Sequence, residues 1–459
     1  MDRQKERERR ELQKWQKTLE KPEPKHYFAI LIVILSIVYI IDEVTSFMPQ
    51  SMQSSIIFDL FHITSRDVNS PEYAVAMNKY AVISACSIVF TLIAPFYKSL
   101  ADKFGRRLFL AINTVGMALG LFVIMTARHP VMYGLGYAIT LFVIPNDVQV
   151  MYIMEVAPKK HRAKLCSIIK ALALISVSSI GIMRSAFMTE ELSSWRNVFI
   201  IPVVLGTIIG LLSVFFVRET PVFLDERMAY LRSTEEERQE KERQKKNEKS
   251  GIVNAMKFLF RHKQHRSIAL CVLVFGLSVC ATNYYETIMA STMPVEEISR
   301  AIIFFPIANS IVTFFSGFLA DKTGRKKAAL FLGTLAMLGL ASFILSAKFR
   351  WGAAVTGVSY GVFIGGLWSA NDIMTIIMPQ ESTPTEIRAS VTAATYLFSY
   401  AGMFLSTVLV IVFQNFVDMG YFCLCMGVLF MFLGLVLMLR KVKETKGADL
   451  AAVTGSEFD

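Results

Sequence analysis

Along this chain apolar residues recur in stretches of about 20, broken by short polar intervals. A stretch of that length crosses a hydrocarbon core of roughly 30 Å as a helix. The pattern predicts spans at 27–48, 74–97, 108–127, 130–155, 164–188 and 196–217, then a polar interval, then 267–291, 299–319, 328–347, 351–379, 389–413 and 419–439. Inside lipid only helices or closed barrels satisfy the backbone, and these stretches are too long and too uniformly apolar to be barrel strands. The expected fold is therefore an all-α membrane protein of twelve transmembrane helices. Composition agrees: 54% of the 459 residues are apolar, 19% are charged, and the mean hydropathy is +0.47.

The polar intervals set the orientation, because loops that stay in the cytoplasm retain Lys and Arg. Basic residues crowd the N-terminal tail, Lys98 to Arg107, Lys159 to Lys164, the middle linker, Lys322 to Lys327 and Arg440 to Lys446. The alternate intervals hold few, among them Arg66, Arg128, Arg196, Arg300, Lys348 and Arg350. Both termini are expected in the cytoplasm, with the chain multi-pass in a plasma or inner membrane. The net charge of +11 follows from this bias and from affinity for anionic membrane lipid, not from nucleic-acid binding. The first 25 residues carry no apolar core, so no cleavable signal peptide is expected. The six cysteines fall in or beside spans and spell neither a disulfide framework nor a metal site. No phosphate-binding loop, metal cluster or nucleophile constellation is present, so the chain reads as a non-enzyme with no cofactor, driven by a proton or other ion gradient. A monomer is expected.

Two loops about 220 residues apart repeat one pattern: Leu100-Ala-Asp-Lys-Phe-Gly-Arg-Arg107 and Leu319-Ala-Asp-Lys-Thr-Gly-Arg-Lys326. Two spans later, Glu155-Val-Ala-Pro158 with Arg162-Ala163 matches Glu381-Ser-Thr-Pro384 with Arg388-Ala389. Asn146-Asp147 and Asn371-Asp372 precede these motifs in turn. Three matched features in one order imply duplication. The predicted organisation is a tail at 1–25, a six-helix bundle at 26–224, a linker at 225–264, a second bundle at 265–440 and a tail at 441–459. A duplicated bundle places a solute site between its halves near mid-membrane.

The doubled Gly-x-Leu-Ala-Asp-x-x-Gly-Arg-Arg/Lys signature resembles that of the major facilitator superfamily, over residues 25 to 450. Arg218-Glu-Thr-Pro221 and Lys443-Glu-Thr-Lys-Gly447 narrow the likeness to its sugar-porter and organic-ion branch. The resemblance implies two pseudo-symmetric six-helix bundles working by alternating access. It also implies charge clusters that shut the cytoplasmic side when the outer side is open: Asp102, Gly105, Arg106, Glu155, Arg162 and Glu219, with Asp321, Gly324, Arg325, Glu381, Arg388 and Glu444. Lys98 stands where the first copy of the signature has Gly, whereas Gly317 is kept in the second.

Ionisable residues at membrane depth are costly and tend to line a cavity or a proton path. Asp42 and Glu43 lie about 25 Å up the first span at 1.5 Å per residue, and Glu286 is comparably deep in the seventh. Asp147, Lys170 and Asp372 each lie about 12 to 14 Å from the inner surface, so Asp147 and Lys170 could pair. Proton coupling is expected to rest on these acids. Asn146, Asn283, Tyr285, Asn371 and Tyr396 could add hydrogen bonds or stacking.

Asp42 resembles the proton-carrying Asp of proton-coupled sugar porters. Their Arg partner, their sugar-binding Gln residues and their Gly-Pro-x-Pro-Trp element are missing, with Lys170 at one Gln position. The expectation is a symporter for an organic acid, a zwitterion or another small metabolite. A facilitative or proton-coupled sugar transporter is the alternative, and drug or organic-cation efflux is a lesser one.

Overall fold

The computed structural model describes residues 6, 10–13, 15–16, 24–92, 97, 105–144, 148–158, 162–233, 237, 251–384, 387–413 and 416–447. Among them twelve helices are long and apolar enough to cross a membrane. Spans 1 to 6 are Tyr27–Phe47, Pro71–Thr91, Arg106–Thr126, Pro130–Val156, Leu165–Phe187 and Leu192–Phe216. Spans 7 to 12 are Lys263–Ala290, Val295–Thr323, Arg325–Lys348, Ala353–Glu381, Ser390–Phe413 and Met419–Lys441. No strand occurs among the described residues.

The hydropathy pattern misplaces span ends where polar residues begin a helix. Span 2 starts at Pro71, earlier than expected, because the Ser70 side chain accepts from the Tyr73 N–H and proline suits the first helical position. Span 8 starts at Val295 with Glu296 and Glu297 in its first turn, where the helix dipole favours acids. Span 1 does not end the chain's business on its side. A tight turn, Gln50–Met52, leads into a further helix, Gln53–Leu60, whose buried residues return to the bundle.

Spans 1 to 6 pack among themselves and spans 7 to 12 do likewise, while span 5 packs against span 8 and span 2 against span 11 to join the halves. One close approach is between spans 8 and 10. Gly357, Gly361 and Gly365 recur every fourth residue on span 10, and a Cβ on Gly361 would stand 2.2 Å from the Phe305 carbonyl oxygen. Small residues at this spacing let two helix backbones meet where lipid supplies no hydrophobic drive. Outside the bundle, Phe215, Phe318 and Leu338 are 78%, 64% and 62% exposed, an apolar surface suited to acyl chains.

The end of span 6 meets the start of span 1, where the Arg218 N–H donates to the Tyr27 hydroxyl. The end of span 12 likewise meets the start of span 7 through Lys443 and Gln264. This side is called the terminal face below, and the opposite one the distal face. Pro221–Arg232 runs into the 225–264 linker and Gly251–Arg261 lies within it, while linker residues 234–236 and 238–250 lie outside the described set.

Candidate functional site

A cavity of about 450 Å³ lies between the halves. Its lining comes from spans 1, 2, 4 and 5 and from spans 7, 8, 10 and 11. Its charged residues are Glu43, Lys170 and Asp372; around them stand Gln50, Asn283, Asn309, Tyr137, Trp368 and Tyr400. A second cavity of about 240 Å³ shares Lys170, Leu174, Thr313, Ser369 and Asp372 with the first and runs on past Ser316 and Gly317 to Ala320. Lys170 and Asp372 thus flank the junction between the central cavity and its continuation toward the terminal face. Directly after Asp372 the helix widens into a π-helical turn, Ile373–Ile377, a distortion that recurs at functional sites.

Depth along a helix does not fix direction around it. Glu43 lines the cavity, but Asp42, one residue and about 100° away, is buried between spans 1 and 4, where its Oδ2 accepts from Gln149 Nε2 at 3.0 Å. Asn371 is buried with its Oδ1 accepting from Ser399 Oγ at 3.1 Å. Tyr396 stacks on the cavity residue Tyr400 with ring centroids 6.0 Å apart. Asn283 is in the lining, and its Oδ1 accepts from Gln50 Nε2 at 3.4 Å. Asn146 and Asp147, and with them the expected Asp147–Lys170 pair, lie outside the described residues.

Glu286 and Tyr285 lie not in the cavity lining but in a buried network that closes its distal side. Arg184 of span 5, unremarked in the sequence, is fully buried and brings its Nη2 within 3.4 Å of Glu286 Oε1. Ser54 donates to the same carboxylate twice, from its N–H at 2.8 Å and its Oγ at 2.7 Å. Arg184 also donates to the Ser51 carbonyl and, at 3.4 Å, to Ser299 Oγ. The Tyr285 hydroxyl lies 2.5 Å from Ser51 Oγ, and Thr287 Oγ1 donates to Gln53 Oε1 at 2.8 Å. Nearly every bond here joins the first half to the second. The signal for Arg184 was present: like Lys170 it is a cation within an apolar span, and it faces an acid of the other half.

On the terminal face the two copies of the repeat build matching clusters. In the first, Arg106 Nε is 3.1 Å from Glu155 Oε1, Thr220 Oγ1 donates to Glu155 Oε2 at 2.5 Å, and Glu219 Oε1 accepts from the Arg106 N–H at 2.8 Å. In the second, Arg325 Nη2 is 2.9 Å from Glu381 Oε1, Thr445 Oγ1 donates to Glu381 Oε2 at 2.8 Å, and Glu444 Oε1 accepts from the Arg325 N–H at 2.7 Å. Asp321 also holds Arg325, at 2.6 Å. Each of these bonds stays within one half and braces its own bundle. Arg388 Nε donates to the Thr383 carbonyl. Asp102 and the Arg162 side chain lie outside the described set.

Glu219 and Glu444 cap the helix starts of spans 3 and 9, where backbone N–H groups are otherwise unsatisfied. The preceding Gly105 and Gly324 have φ of 103° and 102° with extended ψ, a conformation that glycine almost alone adopts. A Cβ there would also meet Glu219 Oε2 at 2.2 Å or Glu444 Oε2 at 2.5 Å. Gly324→Ala should lower stability by about 1–3 kcal/mol, read as a drop in the thermal midpoint of the purified protein; an unchanged midpoint would show the turn is unstrained. Burial pushes the Glu219 carboxyl above the usual carboxylate range, opposed by the N–H groups of Thr220, Arg106 and Arg107. Acidification therefore protonates this cap sooner than a solvent-exposed carboxylate would be.

The Major Facilitator Superfamily model matches residues 15–407. A search of curated proteins returns no match. Among solved structures, a D-xylose-proton symporter superposes with a TM-score of 0.67 at 17% identity, covering 92% of this chain and 99% of the other. The inward-open xylose transporter of E. coli gives 0.63 at 17%, covering 94% and 100%. A bacterial homologue of the human lysosomal transporter Spinster, inward-facing and occupied, gives 0.57 at 13%, covering 91% and 96%.

Proposed function

Because the chain belongs to the major facilitator superfamily, we propose that it is a secondary active transporter that carries a small organic acid or zwitterion together with protons. Supporting this reading above all is the presence of one cation, Lys170, and acids of both halves, Glu43 and Asp372, in the lining of a single cavity between the bundles. A carboxylate-bearing solute meets Lys170, an ammonium group meets Glu43 or Asp372, and the amides and aromatic rings orient what lies between. The basic loops make the terminal face cytoplasmic. With the distal network closed and the second cavity leading toward the terminal face, the molecule then rests in an inward-leaning state.

Outward opening requires the Arg184–Glu286 network to part. The halves, each braced by its own terminal-face cluster, move as units. Proton coupling falls to the membrane-embedded acids. Asp42→Asn is expected to abolish pH-gradient-driven accumulation in vesicles while leaving substrate exchange; retention of both would remove Asp42 from the proton path.

Thermal unfolding with a panel of amino acids, organic acids, sugars and amines tests the substrate class, since a bound ligand raises apparent stability by mass action. A carboxylate should stabilise the wild type, and Lys170→Gln should bind it about tenfold to hundredfold more weakly. A second reading, a neutral sugar, draws support from Trp368, Tyr137, Tyr400, Asn283 and Gln50 in the same lining. Stabilisation by sugars alone, equal in Lys170→Gln, would favour it over the first.

A further inference from the structure

The helix Gly251–Arg261, just before span 7, presents two unlike faces. Ala255 and Leu259 are buried against Val391 and Ala394 of span 11 and Ala269 of span 7. On the opposite face Val253, Lys257 and Phe260 are exposed, the two apolar residues at 57% and 50%. Arg261, Lys263 and Arg266 continue the exposed cations beside them. From Gly251 to Tyr285 the sequence holds no acid. Among the described residues Lys257, Arg261, Lys263 and Arg266 form no salt bridge; the ion pairs of the terminal face are made by other side chains.

The Phe260 ring sits 6.0 Å from Phe398 of span 11, and exposed Leu270 and Leu397 extend the apolar surface along spans 7 and 11. Cations interleaved with apolar side chains, on a helix continuous with the lipid-facing surface, match a phospholipid rather than a soluble anion: the headgroup takes the charges and the acyl chains take Phe260 and Leu270.

We propose that this helix is a docking site for an anionic phospholipid of the leaflet on the terminal face, and that its occupancy steadies the second-half charge cluster. The connection is short. The helix gives way at His262 to span 7, where Gln264 bonds both backbone groups of Lys443 at 2.9 and 3.1 Å, next to Glu444. His265 Nε2 lies 3.0 Å from Thr383 Oγ1 and 3.2 Å from Ser382 Oγ, next to Glu381. A headgroup that fixes the helix therefore fixes the two segments that present Glu381 and Glu444 to Arg325.

The test is thermal unfolding of the full chain in a neutral detergent with added dioctanoyl-phosphatidylglycerol or dioctanoyl-phosphatidylcholine. The anionic lipid should stabilise, less so at high salt, and the neutral one should not. Each of Lys257→Gln, Arg261→Gln, Lys263→Gln and Arg266→Gln should raise the half-saturating concentration about fivefold. Phe260→Ser should weaken the response as well, and Arg440→Gln, elsewhere on the same face, should not. Combining all four substitutions should abolish the anionic-lipid response, and the four single variants keep the test open if that combination folds poorly. The proposal is overturned if the wild type gives no headgroup-selective response, if the four variants respond as the wild type does, or if inorganic phosphate at equal concentration reproduces the effect.

Discussion

Arg184→Ala is expected to swing the molecule toward a state open on the distal face. In the closed state the substitution would leave the Glu286 carboxylate fully buried with Ser54 as donor and no cation beside it. Stranding one member of a buried pair costs about 3–5 kcal/mol. The bundle can escape that cost by parting its halves and letting water reach Glu286. Labelling of a cysteine at Met52, fully buried in the closed state, should then accelerate by a hundredfold or more, each factor of ten corresponding to about 1.4 kcal/mol. If the labelling rate does not change, the network is not the seal. Replacing both partners, Arg184→Leu with Glu286→Leu, should restore closure, because apolar pairs of similar size substitute for buried ion pairs without loss.

The second large effect is on the fold. Gly361→Val brings a branched side chain where a Cβ alone would be 2.2 Å from the Phe305 carbonyl and 2.7 Å from Ala308 Cβ. Backbone cannot yield as a side-chain tip can, so spans 8 and 10 must separate along their shared seam. The expected cost is about 3 kcal/mol or more, visible as loss of monodisperse protein and a lowered thermal midpoint. Gly317→Ala is the matched control, since nothing lies within 4 Å of the Cβ it would add. Equal behaviour of the two variants would mean the seam is not close-packed in solution.

The spans were legible because twenty apolar residues leave a helix crossing lipid as the economical solution, and the duplication was legible because loop motifs keep their spacing. Polar helix starts were not, as at Val295 and Pro71, nor was the helix Gln53–Leu60, whose bonds to the second half are made by Gln53 and Ser54, polar residues that hydropathy scores as loop. In the site, counting residues singled out Glu43, Lys170 and Asp372, which line one cavity. It grouped Asp42 and Glu286 with them because a single sequence carries no reading of azimuth until the neighbours are known. Arg184 escaped for a related reason: its meaning lies in Ser54 and Glu286, 130 and 102 residues away.

That separation bears on how the protein is made. Arg184 enters the membrane while Glu286 is still 102 residues from synthesis, an interval of about 5–20 s at 5–20 residues per second. An arginine at the centre of an inserted helix costs about 2.5–3.5 kcal/mol, and Arg184, in the last turn of span 5, bears a smaller share of that cost. The nascent first bundle therefore carries an uncompensated cation, with Ser51 and Ser54 beside it, until the seventh helix arrives. Span 5 is the segment that insertion machinery must hold in place, and a chain truncated within the linker would be the form most exposed to quality control.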